Sequence, residues 1–243
     1  MSRGIINNLF WAVLCLFIFS SFNRNSPRNV DEISYEILEA PVLKQANSDS
    51  SYQIINKGFR FTLIPISECE INGLIVDKIP YAPVRIMHEN ALGMNKNFTI
   101  MWGSNVRNKT YKNKAIKFSY GGINWQGNTN LNLDELARVA LITQDKNLWG
   151  RIKSLSGGDQ VKIIGKLVNG SGDRIIPVTY CSNHLQWNTG MPGKNDQFWN
   201  IYVEDLKILK KANVLFNYLF WISLFGLIAV IIIRLFGPIK YYE

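Results

Sequence analysis

The sequence predicts a mainly β (α+β) fold, a small OB-like barrel flanked by two transmembrane helices. Three observations lead there. Two long apolar stretches sit near the chain ends, at 5–22 and 214–233. Between them, short runs alternate apolar and polar residues with the period of two that turns one strand face inward. Their order is a long bent strand, two shorter ones, helical material, a Gly-Asp-x-Val-x-Ile-x-Gly hairpin and a closing strand, which suits a small elaborated barrel.

The first apolar stretch, Ile5 to Phe22, follows Arg3 and is solidly apolar from Leu9 to Phe19. That length also suits a signal peptide, but Ser20-Ser21-Phe22-Asn23 makes a poor cleavage site, so residues 1–22 are expected to be an uncleaved signal anchor. Residues 23–51 are polar and poor in aromatics, with Ser26-Pro27 and Ala40-Pro41, and read as an extended linker with a short strand at Ile33 to Leu38. The β-rich domain is expected over 52–211. In it Phe59, Phe61 and Leu63 alternate, Pro65 marks a break or bulge, and Gly73 sits where a strand through Cys69 to Val76 must bend. Further strands are expected at Phe98 to Trp102 and Ala115 to Tyr120. Asp134 to Ile142 reads as a helix with acidic residues in its first turn, and Asn147 to Leu155 as a second, ended by Gly157-Gly158. A strand at Val161–Val168, a Gly-rich turn at Asn169 to Gly172, a strand at Ile175–Tyr180 and a last strand at Ile201–Leu209 complete the domain.

The second apolar stretch, expected as a helix over 212–236, is interrupted from Val214 to Ile233 only by Asn217, Ser223 and Gly226. At about 1.5 Å per residue it covers a hydrocarbon core of about 30 Å. Tyr218 and Trp221 lie where aromatics anchor at an interface. Arg234 and then Gly237-Pro238 close the helix, leaving a short tail at 237–243. The near-absence of linker between Leu209 and Val214 holds the barrel close to a bilayer, with Lys207, Lys210 and Lys211 available to head-group phosphates.

The chain carries 27 Lys and Arg against 18 Asp and Glu, a net charge of +9. With Arg3, Arg234, Lys240 and Glu243 set aside, residues 23–212 hold 24 positive and 17 negative charges. Such a balance favours anionic partners. On sidedness the sequence is divided. Basic residues near the membrane lean towards a cytoplasmic domain, while Cys69 and Cys181, an even pair outside the spans, are compatible with one disulfide in an oxidising compartment. Two buried, reduced thiols fit as well.

No Gly-x-Ser-x-Gly, Walker-type loop, His-Glu-x-x-His or Cys-x-x-Cys is present, so the common hydrolase, nucleotide-binding and zinc signatures are missing. Cys181, His184 and Cys69 are a poor metal set, and His88-Glu89 a poor acid–base pair. Glu68 and Glu70 share a strand face, most simply the solvated one. No catalytic residue, metal or cofactor is expected. The run Arg107, Lys109, Lys112, Lys114 and Lys117, interleaved with Tyr111, Phe118 and Tyr120, has the composition of an anionic-ligand face, since OB-type barrels stack bases on aromatics beside cations. A solvated basic loop followed by a half-buried strand explains it more simply. Trp102, Trp125, Trp149, Trp187 and Trp199 suit a ligand groove, or core packing.

Phe61-Thr62-Leu63-Ile64-Pro65-Ile66, Ile71-Asn72-Gly73-Leu74-Ile75, Met101-Trp102-Gly103, Arg151 to Leu155, Gly158 to Val168 and Ile201-Tyr202-Val203-Glu204 follow one another in an order that resembles an uncharacterised family of bacterial membrane-anchored proteins with an extracytoplasmic domain. The chain departs from that pattern at Arg138 to Thr143 and at Phe198-Trp199-Asn200. The resemblance implies architecture and an extracytoplasmic domain, and no chemistry. Together these readings lead to an expectation of a double-pass protein of the inner (cytoplasmic) membrane, non-enzymatic. Its periplasmic domain would contact another membrane or envelope protein, or a second copy, beside the lipid bilayer. The rivals are a membrane-bound hydrolase with an unrecognised site and a cytoplasmic-facing nucleic-acid binder, the latter the less favoured.

Overall fold

A computed structural model describes residues 3–45, 51–56, 59–78, 95–119, 122–172 and 198–236. Nine strands are described: β1 (Val42–Gln45), β2 (Tyr52–Asn56), β3 (Phe59–Lys78), β4 (Asn95–Met101), β5 (Ile116–Ser119), β6 (Gly122–Trp125), β7 (Leu136–Ile142), β8 (Gln160–Gly172) and β9 (Phe198–Lys210). The described helices are α1 (Arg3–Asn23), α2 (Gly103–Arg107), α3 (Lys146–Ser154) and α4 (Val214–Phe236), with short 3-10 turns between.

Strand β3 is the spine. One face of it carries Phe61, Leu63, Cys69 and Ile71, all buried, while Ile64 and Glu68 are exposed. Pro65 has no N–H to give a ladder, and the register against β8 shifts between Pro65 and Ser67, as the sequence leads one to expect. At Gly73 an added Cβ would lie 2.3 Å from Ile100 Cγ2 and 2.9 Å from the Met101 carbonyl, so glycine lets β4 cross here. From β3 the sheet runs β3-β4-β7-β9-β8 and returns to β3, closing a five-stranded barrel. Every neighbour in it is antiparallel except β7 and β9. β1 and β2 pair with β3 outside this circuit, and β5–β6 is a separate hairpin.

Inside the barrel Ile71, Ile75, Phe98, Ile100, Val139, Leu141, Ile163 and Ile201 are fully buried. Each such side chain stabilises the fold by about 1.5–3 kcal/mol over its exposed state. A second cluster joins Leu74, Met101 and Leu136 to Val30, Ile37, Val106, Tyr111, Ile116 and Ile123. Helix α3 begins where expected. Asp145 Oδ1 accepts from Asn147 N at 2.6 Å and Leu148 N at 3.0 Å, which caps the first turn. The helix lays Ile152, Leu148 and Trp149 against the barrel core.

Three expectations about local structure are corrected. Residues 136–142 form a central strand, not a helix, after a 3-10 turn at Leu133–Glu135. Leu136 to Ile142 is buried on both faces except at Arg138, and such a strand reads as an unbroken apolar run that periodicity cannot tell from a helix. Tyr35–Leu38 is a 3-10 turn, not a strand, and buries Ile37. Residues 169–172 do not turn but continue β8, pairing with Phe61 to Ile64. The expected strand at 175–180 lies outside the described residues. The stretch 23–45, read as part of a linker, packs on the barrel. The Tyr111 hydroxyl donates to the Val30 carbonyl at 3.1 Å, and the Gln160 amide donates to Glu32 O at 2.6 Å and accepts from Ser34 N at 2.7 Å.

Helices α1 and α4 are long and apolar enough to cross a membrane. They lie side by side and antiparallel, with Phe17 against Phe220 (ring centroids 5.1 Å) and Phe19 against Phe216 (5.8 Å). Ser20 and Ser223 are buried between them and donate to their own helix carbonyls, Phe17 O and Phe220 O. Gly226 allows close approach, since a Cβ there would sit 3.2 Å from Val13.

Candidate functional site

The outer wall of the barrel carries a groove of about 270 Å³ where β1, β3, β8 and β9 meet. Its floor follows from the local sequence. Gly165 presses on β9 so closely that a Cβ would lie 2.2 Å from the Tyr202 carbonyl. The register shifts there, because Ile164 pairs with Asp205 and Gly165 with Val203, so Glu204 is the extra residue of a bulge. Val42 and Ile164 add apolar surface, and Glu68, Glu70, Glu204 and Lys44 form the rim. The rim charges are partly paired. Lys162 Nζ reaches Glu70 at 2.5 Å, and Lys166 reaches Glu204 at 3.4 Å and the Tyr52 hydroxyl at 2.8 Å. The Tyr52 hydrogen bond, then the charge of Glu204, hold the Lys166 ammonium above its ordinary value. Tyr52 stacks on Tyr202 at 4.6 Å.

Beside this groove lies a sheet edge. Among the described residues β1 pairs only with β3, all four of its residues are exposed, and Val42 and Leu43 remain 49% and 46% accessible. Edge strands of this kind are templates for pairing with another chain unless something covers them.

A second feature lies on another part of the wall. Strand register sets Asn97, Ala140 and Asn200 in one row across β4, β7 and β9, and Asp77, Thr99 and Arg138 in the next. Asn200 is 2% exposed, yet among the described residues neither its Oδ1 nor its Nδ2 finds a hydrogen-bond partner, and Asn97 Oδ1 is in the same condition. Burial raises the Asp77 carboxyl, offset in part by a backbone N–H at Lys78 and by the charge of Arg138. By contrast the buried Asn105 has its amide filled by Asn132 O, Glu135 O and Asn132 N.

The third feature is the junction between barrel and helices. Asp159 has a fully buried carboxylate that accepts from Ser156 N (2.8 Å), Ala212 N (3.0 Å) and Lys211 Nζ (2.6 Å). Asn213 Nδ2 donates to Ser26 O and Gly157 O. These contacts tie the turn after α3 to the chain leaving α1 and to the chain about to start α4. Lys211 is therefore held inward, and Lys210 pairs with Glu32, whereas Lys207 is exposed.

The basic run is split by the structure. Arg107, Lys109, Lys114 and Lys117 are exposed, but Lys112 pairs with Asp31 at 2.7 Å. Tyr111 is buried and Phe118 packs against the second core cluster, so these two aromatics offer no stacking platform. Tyr120 lies outside the described residues. Trp102 is buried and meets Trp199 at 5.9 Å within the barrel core, and Trp149 packs there too, while Trp125 joins the second cluster. Cys69 is buried, and desolvation pushes its thiol up to about 12. Cys181, His88, His184 and Trp187 lie outside the described residues, as does Glu89. Among the described residues no three His, Cys, Asp or Glu side chains converge to hold a metal. Neither the groove nor the amide row was singled out from sequence, because each depends on which strands become neighbours. Comparison with known proteins finds no family model, no curated protein and no solved structure that matches this chain.

Proposed function

We propose that the protein is a double-pass protein of the inner (cytoplasmic) membrane whose barrel stands on the extracytoplasmic side and binds a segment of another membrane or envelope protein, without catalysing a reaction. The exposed edge of β1 beside the charged groove carries this reading. An extended polypeptide adds a strand to such an edge through main-chain hydrogen bonds, and alternate side chains then meet the groove's apolar floor and its rim of both signs. The barrel supports the same reading. A closed five-stranded barrel with a helix ahead of its fourth strand is the arrangement of OB-type barrels, which serve widely as binding modules. That is an argument from fold, and the site itself has to bear the function. The paired helices at the two ends of the barrel support double anchoring, and the family resemblance supports the extracytoplasmic side.

Blue-native electrophoresis after mild solubilisation tests the proposal. The wild-type chain is expected in a band heavier than the monomer, and the variant Val42→Asp/Leu43→Asp is expected to lose it. A wild-type monomer under every gentle condition would overturn the proposal. Protease accessibility of the barrel in spheroplasts, before lysis, checks the side of the membrane.

A further inference from the structure

The segment that leaves α1 and the segment that enters α4 meet at a cleft of about 260 Å³, lined by residues 29–32 and 210–213 together with Gly158 and Gln160. We propose that this cleft holds the head group of phosphatidylethanolamine, a lipid that bears both a phosphate and a primary ammonium. Hydrogen bonds set its level. Asn29 Nδ2 donates to the carbonyl of Asn23, the last residue of α1, at 3.2 Å, and Asn213, the residue before α4, donates to Ser26 O at 2.9 Å. The cleft therefore lies where both apolar helices end, among Phe22, Tyr218 and Trp221, exposed aromatics of the kind that meet lipid head groups. Its volume is just under the about 300–1,000 Å³ of pockets that enclose a whole drug-sized ligand, which suits a head group whose acyl chains stay outside. Val214 and Leu215, 45% and 66% exposed at the start of α4, offer those chains an apolar surface.

The charges of the lining select the head group. Asp31 and Glu32 stand on one segment and Lys210 and Lys211 on the other, so the formal charge sums to zero with the two signs set apart. Each group is already paired: Lys112 with Asp31, Lys210 with Glu32, and Lys211 with the buried Asp159. Pairing leaves capacity over. Among the described residues Lys210 uses one of its three donor hydrogens, on Glu32, and Lys211 uses two, on Ser154 O and Asp159. Asp31 and Glu32 each accept from one lysine, and a carboxylate offers about four acceptor sites. A phosphate can take the remaining lysine hydrogens while an ammonium donates to the carboxylates. A head group with net negative charge gains the first contact and is repelled at the second. Choline carries the positive charge but has no N–H to donate, so the carboxylates favour ethanolamine. Such a site requires insertion of the two helices, as proposed above, and is independent of the β1 groove.

The test uses the full chain, purified in a neutral detergent. Retained lipid per protein is measured by mass spectrometry after incubation with phosphatidylethanolamine, phosphatidylcholine or phosphatidylglycerol, and again with free phosphoethanolamine as competitor. The side chains of Asp31 and Glu32 are 83% and 81% exposed, so Asp31→Asn/Glu32→Gln leaves the fold intact. The control of equal charge change is Glu39→Gln/Asp134→Asn, at two exposed carboxylates outside the cleft. The wild-type chain is expected to retain phosphatidylethanolamine roughly ten-fold better than either other lipid, the scale of two partly solvated charge pairs. Its preference over phosphatidylcholine is expected to fall to near parity in Asp31→Asn/Glu32→Gln and to persist in the control. Lys210→Gln, which removes a phosphate partner common to all three lipids, is expected to weaken retention of each. Equal retention of phosphatidylethanolamine and phosphatidylcholine, strongest retention of phosphatidylglycerol, or full displacement by phosphoethanolamine at matched concentration would overturn the proposal. So would a preference that survives Asp31→Asn/Glu32→Gln or vanishes in the control, or retention unchanged by Lys210→Gln. Resistance of the chain to alkaline carbonate extraction is measured alongside. An extractable chain removes the membrane reading as a whole, and a resistant chain without lipid preference removes only this inference.

Discussion

Replacing Asp159 by Asn is the sharpest test of how the barrel is held to its helices. The wild-type carboxylate accepts three hydrogen bonds, two from backbone N–H groups and one from Lys211, and no solvent reaches it. The Asn amide keeps one acceptor oxygen and turns an NH2 towards groups that can only donate. Either Ser156 N or Ala212 N then loses its partner, at about 1–3 kcal/mol for a buried donor. Lys211 also loses its counter-charge. Its side chain is 40% exposed, so water takes over much of that role and the loss is about 1 kcal/mol, as for surface pairs. The expected total is about 2–4 kcal/mol. For a domain of this size that lowers the melting temperature by roughly 4–16 °C. Lys211→Met removes the pair but leaves both backbone donors on the carboxylate, so its expected cost is about 1–2 kcal/mol. Thermal unfolding of the full chain in mild detergent, followed by near-ultraviolet circular dichroism, reports on the Trp102–Trp199 contact in the core. Lys211→Met as damaging as Asp159→Asn would refute the reasoning, because the ion pair rather than the backbone acceptor would then dominate.

Two further substitutions probe groups whose environments are out of balance. Asn200→Leu removes a buried amide with no hydrogen-bond partner among the described residues, so it is expected to raise the melting temperature by roughly 2–6 °C, whereas Asn105→Leu, which breaks a filled amide, lowers it; no rise for Asn200→Leu contradicts the assignment. Lys78 releases its proton near 8 in the folded chain and near 10.5 when unfolded, so between those values the unfolded state binds the extra proton and stability rises with pH. The stability advantage of wild type over Lys78→Met is therefore expected to grow between about pH 7.5 and about pH 10 in denaturant titrations, and a constant difference would show that Lys78 is not desolvated.

Much of the architecture is legible in the sequence where the physics is local. An apolar run long enough for a bilayer, a proline without an N–H at a bulge, a glycine where a long strand must bend, and a short helix ended by Gly157-Gly158 all announce themselves within a few residues. Strand β7 does not, because a strand covered on both faces loses its alternation. The wall groove stays hidden for a different reason. Val42, Glu70, Ile164 and Glu204 come from four strands and meet only after the barrel has closed. Asp159 reads as an ordinary turn residue after Gly157-Gly158, since its partners Ala212 and Lys211 lie more than fifty residues on. The tether lysines show the same limit. Their position beside the second apolar stretch is plain, but the carboxylates that draw Lys210 and Lys211 back towards the barrel come from elsewhere in the chain. Only Lys207 of the three has an exposed side chain outside such a pair.

The distance between the Asp159 junction and the groove bears on what the groove can reach. Strand β8 starts at Gln160, next to Asp159, and meets the groove at Gly165. Five residues of strand rise by about 17 Å, less whatever the strand's tilt takes away. The contacts of Asp159 and Asn213 in turn hold the turn after α3 against both chain segments that join the helices, so the barrel has little freedom to swing. On the proposed function, a groove fixed at that height is well placed for a loop or strand of a protein that is itself anchored nearby. A freely diffusing partner gains nothing from the short tether, whereas two chains confined to one membrane meet at a raised effective concentration without any new contact. Lengthening the tether between Lys211 and Val214 should therefore weaken capture of a membrane-bound partner while leaving the fold of the barrel and the chemistry of the β1 edge as they are.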